Sequence, residues 1–230
     1  MNEMTEVLCG TAPESVHRAF FERGIKLRET GACMCLEAPV AGHIDLMTAF
    51  LCGKQYAARQ SPELLQKRAD NIIDENLGTK YPQDVPLSAE QIGDRFLCNR
   101  RTVAEILLQD AEKSGLKIID VAQGYVSCSL CRAGENAVIT DDPSIADALE
   151  RDGKIQVLKI EKGDILLPGY GYGFIGGASG WIGDTLYFFG DIQTHRDGEK
   201  IREFLERRGI HYECLLPSRK LIDIGSIING

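Results

Sequence analysis

Brief apolar runs and helical spacings alternate along this chain. Four runs look alike: Val7-Leu8-Cys9-Gly10, Phe96-Leu97-Cys98-Asn99, Val138-Ile139-Thr140-Asp141 and Phe188-Phe189-Gly190-Asp191, with Tyr56-Ala57-Ala58-Arg59 as a weaker fifth copy. Each reads as a short buried strand, and each leads into apolar residues spaced by three and four. These are Val16, Ala19 and Phe20; Leu64, Leu65, Ala69, Ile72 and Ile73; Val103, Ile106 and Leu107; Ile145, Ala148 and Leu149; Ile201, Phe204 and Leu205. That spacing predicts amphipathic helices with one buried face. Start signals are Thr11 with Glu14 as a capping box, Ser61-Pro62 and Asp142-Pro143. Gly24, Gly115, Gly153 and Gly209 fall where helix C-terminal glycines belong. After four helices a short strand follows, at residues 25–27, 117–119, 155–158 and 210–214.

An extended stretch also precedes four of the apolar runs, at residues 42–45, 84–87, 124–128 and 174–177. Turn residues around Gly53, Gly93, Gly134 and Gly183 separate the two strands. Residues 42–58 and 124–140 align without a gap, at an offset of 82. The repeating unit is strand–strand–helix–strand, starting near residues 43, 82, 125, 174 and 222. The fifth unit is split: its first strand is residues 221–228, and the rest is residues 7–30. The simplest geometry joining both ends in one unit is a closed ring, which removes free sheet edges. The expected fold class is therefore α/β, a closed five-bladed propeller of ββαβ units forming a single domain over residues 1–230.

Composition narrows the function. With 26 Lys+Arg against 34 Asp+Glu, the net charge of −8 lacks the basic footprint of a nucleic-acid binder. No apolar run is long enough to span a membrane, and the N-terminus MNEMTEVLCG is too polar for a signal peptide. The expected location is the cytoplasm, with all eight cysteines reduced.

Five ββαβ units in a ring resemble the pentein superfamily of guanidino-group-modifying enzymes, which includes arginine and agmatine deiminases and dimethylarginine dimethylaminohydrolase. Gly42-His43-Ile44-Asp45 resembles the family's Gly-His-x-Asp, and Gly124-Tyr125-Val126-Ser127-Cys128 resembles its Gly-x-x-His-Cys. One unit lies between the two motifs, as in the family, although the linear order is circularly permuted. The resemblance implies a hydrolase or transferase acting on a small amidine-like or guanidine-like molecule in a central channel, without cofactor or metal. It implies Cys128 as nucleophile, His43 as general acid/base and Asp45 as cation clamp. A thiolate is the competent nucleophile, and a nearby imidazolium favours it. Asp84, Asp223 and Ser127 are the candidate substrate-binding residues, the two aspartates lying on predicted first strands.

Three features depart from the family pattern. Ser127 stands where deiminases commonly place His. Ile175-Gly176-Gly177-Ala178 offers no carboxylate where the family has an acidic clamp. Strand alternation also turns Cys128 away from the face of His43 and Asp45, unless a one-residue bulge re-aims it. The alternative reading is a non-catalytic pentein-like binding module for a small molecule or protein. A third, a metal protein built on Cys128, Cys131, Cys33 and Cys35, conflicts with the opposite facing of residues three apart on a strand.

Overall fold

The computed structural model describes residues 4–230. The chain runs through β1 (Thr5–Cys9), α1 (Glu14–Phe21) and β2 (Ile25–Glu29), then α2 (Ile44–Met47), β3 (Thr48–Leu51), β4 (Lys54–Ala58), α3 (Glu63–Arg68) and β5 (Asn71–Ile73). Next come β6 (Glu90–Ile92), β7 (Arg95–Cys98), α4 (Glu105–Lys113) and β8 (Lys117–Asp120), then β9 (Leu130–Arg132), β10 (Ala137–Thr140), α5 (Pro143–Asp152) and β11 (Gln156–Lys159). The last third holds β12 (Ile165–Leu166), β13 (Ser179–Ile182), β14 (Thr185–Phe188), α6 (Gly198–Glu206), β15 (Tyr212–Cys214), β16 (Leu221–Ile222) and β17 (Ile228–Asn229).

Among the described residues these strands form five three-stranded sheets and one two-stranded sheet. Each three-stranded sheet repeats one pattern. An antiparallel strand flanks the central one, and the strand after the helix returns parallel to it, as a helical crossover requires. The split sheet joins both ends of the chain: Val7 pairs with Asn229 and Leu8 with Ile228. This pairing is shorter than residues 221–228 predict, because Leu221 and Ile222 instead pair with Ile165 and Leu166.

The predicted helix faces are the buried ones. Val16, Ala19 and Phe20 face inward from α1, Ile145, Ala148 and Leu149 from α5, and Ile201, Phe204 and Leu205 from α6. Gly24, Gly115, Gly153 and Gly209 all take positive φ, the conformation that ends a helix and that a side chain resists. Capping follows tertiary contacts more than local motif. Asp142 caps α5, accepting from Ser144 N at 2.8 Å and Ile145 N at 3.1 Å. Thr11 forms no capping box; its hydroxyl packs on Gly42 instead. Ser61 donates to Met47 O at 2.9 Å rather than capping α3. Replacing Asp142 by Ala is expected to lower stability by about 1 kcal/mol, read from the urea midpoint.

Helix α3 stops at Arg68, so Ile72 and Ile73 leave the predicted helical face. They lie in β5, paired with Ala57 and Ala58, because the sheet needs its third strand there.

Candidate functional site

The stretches predicted as first strands begin several residues late, and the residues of interest sit on the turns before them. His43 precedes the single helical turn of α2, which carries Asp45. Cys128 and Ser127 lie in a turn ahead of β9, and Ile175 to Ala178 form a similar turn ahead of β13. The expectation that His43, Asp45, Asp84 and Asp223 lie on strands is therefore corrected. So is the alternation argument against Cys128: in a helical turn successive side chains rotate by about 100°, so no bulge is needed to aim the thiol.

These turns meet in the interior. Asp45 N donates to Gly225 O at 3.2 Å, and Gly177 N to Cys128 O at 3.1 Å. Ile224 N and Ser226 N both donate to Gly177 O. Ser127 Oγ lies 3.2 Å from Asp45 O and 2.9 Å from Ser88 Oγ. Glycine makes this approach feasible: a Cβ on Gly176 would stand 2.3 Å from Ser127 O and 2.5 Å from Cys128 O.

A buried cluster results. His43, Asp45, Cys128 and Asp223 are all less than a tenth exposed. Asp223 Oδ2 accepts from Phe174 N at 2.8 Å, and its Oδ1 accepts from Gly225 N at 3.0 Å and lies 3.6 Å from His43 Nδ1. The imidazole is packed against Gly225, where a Cβ would fall 2.4 Å from that of His43. A carboxylate from elsewhere in the chain also stands beside residues 175–178. Asp223 Oδ1 stands 1.9 Å from where a Cβ on Gly177 would be, so Asp223 fills that space from another part of the chain.

Asp45 differs from Asp223. Both its carboxylate oxygens are buried without a hydrogen-bond partner, although the Cys128 thiol lies beside them. Burial pushes this carboxyl up to about 6; His43 pulls it down and Asp223 pushes it further up. Burial also pushes the Cys128 thiol well above its usual range, and Asp45 and Asp223 add to that. In the free protein the thiol is therefore held protonated, chiefly by burial and further by the two carboxylates, and not activated.

Asp84 and Ser127 are engaged differently. The Tyr125 hydroxyl donates to Asp84 Oδ2, while Asp84 Oδ1 is buried without a partner. Cys128 belongs to the large apolar cluster that also holds Cys33, Leu36, Val40 and Leu167. Tyr170 donates its hydroxyl to Glu37, tying the loop near 170 to residues 31–41. Cys33 and Cys35 are disulfide-bonded, which corrects the expectation of eight free thiols. Among the described residues no group of three or more His, Cys, Asp or Glu side chains could hold a metal ion. No helix among them is long and apolar enough to cross a membrane.

A separate cavity of about 450 Å³ opens along the antiparallel outer strands of the sheets, lined by Thr48, Glu90, Leu130, Arg132, Gly180 and Trp181 among others. Asp45 and Ser127 border it, but the carboxylate oxygens of Asp45 are shielded from solvent there. Sequence reasoning missed the Glu90–Arg132 pair at 3.3 Å, since nothing local links residues on different sheets.

Similar folds occur among solved structures. A cysteine-to-serine variant of dimethylarginine dimethylaminohydrolase from Pseudomonas aeruginosa, complexed with citrulline, matches at 11% identity with a TM-score of 0.55, covering 93% of this chain and 92% of its own. A histidine-to-glycine variant of dimethylarginine dimethylaminohydrolase, an adduct with S-methyl-L-thiocitrulline, matches at 10% identity and 0.55, covering 93% of each. Agmatine deiminase from C. jejuni matches at 10% identity and 0.54, covering 93% of this chain and 88% of its own. These likenesses place the chain in the pentein fold. No protein with a curated description matches the sequence. A profile of a family of unknown function (DUF6873) matches residues 7–228, nearly the whole length, so the chain belongs to that family.

Proposed function

We propose that this protein is a cysteine-dependent hydrolase or transferase acting on a small amidine-like or guanidine-like cation. The observation that carries the reading is Asp45: two buried, unpartnered carboxylate oxygens beside a thiol and an imidazole. A buried carboxylate left without partners is costly, and a planar amidinium offers it two parallel N–H donors.

The groups have distinct tasks. Asp45 holds the cation against Cys128. Burial and the two carboxylates hold the thiol protonated; the positive charge of the ligand offsets the carboxylates and so shifts the balance toward the thiolate. The thiol proton passes to His43 as the sulfur bonds to the amidinium carbon. His43 returns a proton to the departing amine as the C–N bond breaks, leaving an amidino thioether on Cys128. Water, or an acceptor amine, then adds to that carbon; the C–S bond breaks and the thiol is restored. Asp223, its oxygens occupied by Phe174 N, Gly225 N and His43, positions the imidazole rather than meeting the substrate.

The ring is part of this proposal. Five sheets of one pattern, turns that hydrogen-bond to one another in the interior, and pairing of the first and last strands support a closed five-unit propeller formed by residues 1–230 as one domain. The cavity of about 450 Å³ is then one mouth of its central channel. The motifs also suit a cytoplasmic enzyme without cofactor.

A non-catalytic binding module is the second reading, favoured by one observation: Cys128 is only 2% exposed. Alkylation separates the two. Neutral iodoacetamide is expected to label Cys52, the one exposed free cysteine among the described residues. Cys9, Cys98 and Cys131 are buried, with thiols pushed up to about 12. A haloacetamidine is expected to add at Cys128 instead, near neutral pH, and more slowly after Asp45→Asn or His43→Ala. Peptide mapping that finds the amidine reagent only on Cys52 would leave the binding module as the better reading.

A further inference from the structure

The Cys33–Cys35 disulfide takes no part in the chemistry above, and its sequence separation is only 2. The constraint a cross-link places on an unfolded chain grows with the length of the loop it closes, so this bridge contributes little as a staple. In the cytoplasm proposed above, a disulfide is of the kind that is made and opened in use.

Its two sulfurs are unequally placed. Cys33 is 1% exposed, whereas Cys35 is partly open to solvent and Met34 between them is 89% exposed. The turn thus presents one sulfur to an incoming thiolate and shelters the other. Cys33 Sγ lies 3.4 Å from Gln60 O. A disulfide sulfur has no proton to donate and a thiol has one, so the fold holds an acceptor that only the reduced side chain can use.

The same turn is wired to the candidate site. Cys33 O accepts from Leu36 N at 3.1 Å, and Cys33 N donates to Ala41 O at 2.7 Å. Val40 O in turn accepts from His43 N at 2.9 Å. Residues 33–41 are therefore a closed loop, with the disulfide at one end and the approach to His43 at the other. The imidazole at the end of that approach lies 3.6 Å from Asp223 Oδ1.

We propose that Cys33 and Cys35 are a redox-active pair, exchanged by a dithiol reductant, whose state sets how firmly His43 is held. A thiolate of the reductant attacks Cys35 Sγ. The bond between the two cysteines breaks, and Cys33 leaves, takes a proton and shares it in a hydrogen bond with Gln60 O. The second thiolate of the reductant then attacks the reductant's own sulfur in the mixed disulfide, and Cys35 is released and protonated. The reductant ends as a disulfide and the protein gains two thiols. Opening the bridge loosens the turn that holds Ala41, and with it the loop into His43; the oxidised state keeps the imidazole against Asp223. The consequence for catalysis rests on the amidine reading above, whereas the exchange and the loosening do not.

The test treats the full chain with dithiothreitol in the absence of denaturant, traps it with N-ethylmaleimide and maps the peptides by mass. Cys35 is expected to be alkylated only after reduction, and oxidised dithiothreitol is expected to restore its protection. A bridge that opens only in urea would overturn the proposal. Hydrogen exchange then compares the two states. Amides of residues 36–43 are expected to exchange at least about tenfold faster after reduction, while those of β10 and β14 keep their rates. Cys33→Ser combined with Cys35→Ser should exchange as the reduced chain does and ignore dithiothreitol. Equal exchange at residues 36–43 in both states would overturn the coupling to His43. That comparison is read on the unaltered chain, so it decides the matter even if the double variant does not fold. Once the reductant is removed, haloacetamidine labelling of Cys128 is expected to be at least about tenfold slower in the reduced chain. If Cys128 is labelled in neither state, the amidine reading falls, and trapping and exchange still decide the redox pair.

Discussion

Deleting residues 223–230 is expected to unfold this protein rather than trim it. The segment removes Ile224 and Ile227, which are 4% and 6% exposed in the core. Burial of two such side chains contributes about 3–6 kcal/mol. The deletion also strips β1 of its antiparallel partner, leaving Val7 and Leu8 on a free edge, and removes the Asp223 carboxylate that accepts from Phe174 N. A typical domain has only about 5–15 kcal/mol in total. The truncated chain should therefore lose its cooperative thermal transition, or melt at least ten degrees lower by roughly the usual conversion. An unchanged melting temperature by circular dichroism would show that closing the two ends contributes nothing, and would remove the ring.

Replacing Asp45 by Asn should stabilise the protein at neutral pH while disabling the site. Burial raises the Asp45 carboxyl in the fold to about 6, above the 3.8 of a free aspartate. A group raised in this direction contributes most below the unfolded value, and that contribution is lost as pH rises through the folded one. The penalty for ionising Asp45 should thus be absent below about pH 4, grow between about pH 4 and 6, and be complete at pH 7. Its upper size is about 3 kcal/mol, from a shift of roughly two units. Asn keeps the shape without the charge, but its amide also lacks partners, so a gain of about 1–2 kcal/mol is expected. Asp141, raised to about 6 by burial, titrates in the same window, so only the difference between variant and parent isolates Asp45. Urea unfolding should show the two chains separating at pH 7 and converging near pH 4. Labelling of Cys128 by a haloacetamidine should meanwhile fall at least about tenfold, since the cation loses its clamp. Equal stability at both values, with labelling intact, would mean that Asp45 is neither strained nor a clamp. A cost in stability retained for function is common at such sites.

The repeat was legible because it rests on local physics. Apolar spacing of three and four marked the helix faces of α1, α5 and α6, and glycines at 24, 153 and 209 marked where they end, as Gly115 does for α4. The motif residues His43, Asp45 and Cys128 could be singled out by type and by their place in the repeat. Local pattern misled where a distant partner had the stronger claim. Thr11 turned to Gly42, Ser61 to Met47 O, and Ile72 and Ile73 to the edge of β4.

The sequence by itself determined which side chains can do chemistry and the order in which the units carry them. Tertiary structure decided what state those side chains are in. Asp45 and Asp223 are the same residue type, but one has its oxygens filled by amides and an imidazole and the other has none filled. That difference arises from Phe174, Gly177 and Gly225, which lie far from Asp45 in the chain. Whether Cys128 faces the cluster depended on a helical turn where alternation predicted a strand, and the turn is held by hydrogen bonds between units. Residue type and spacing are local properties of a chain; desolvation, partner count and the sign of the surrounding field are properties of what folds against it.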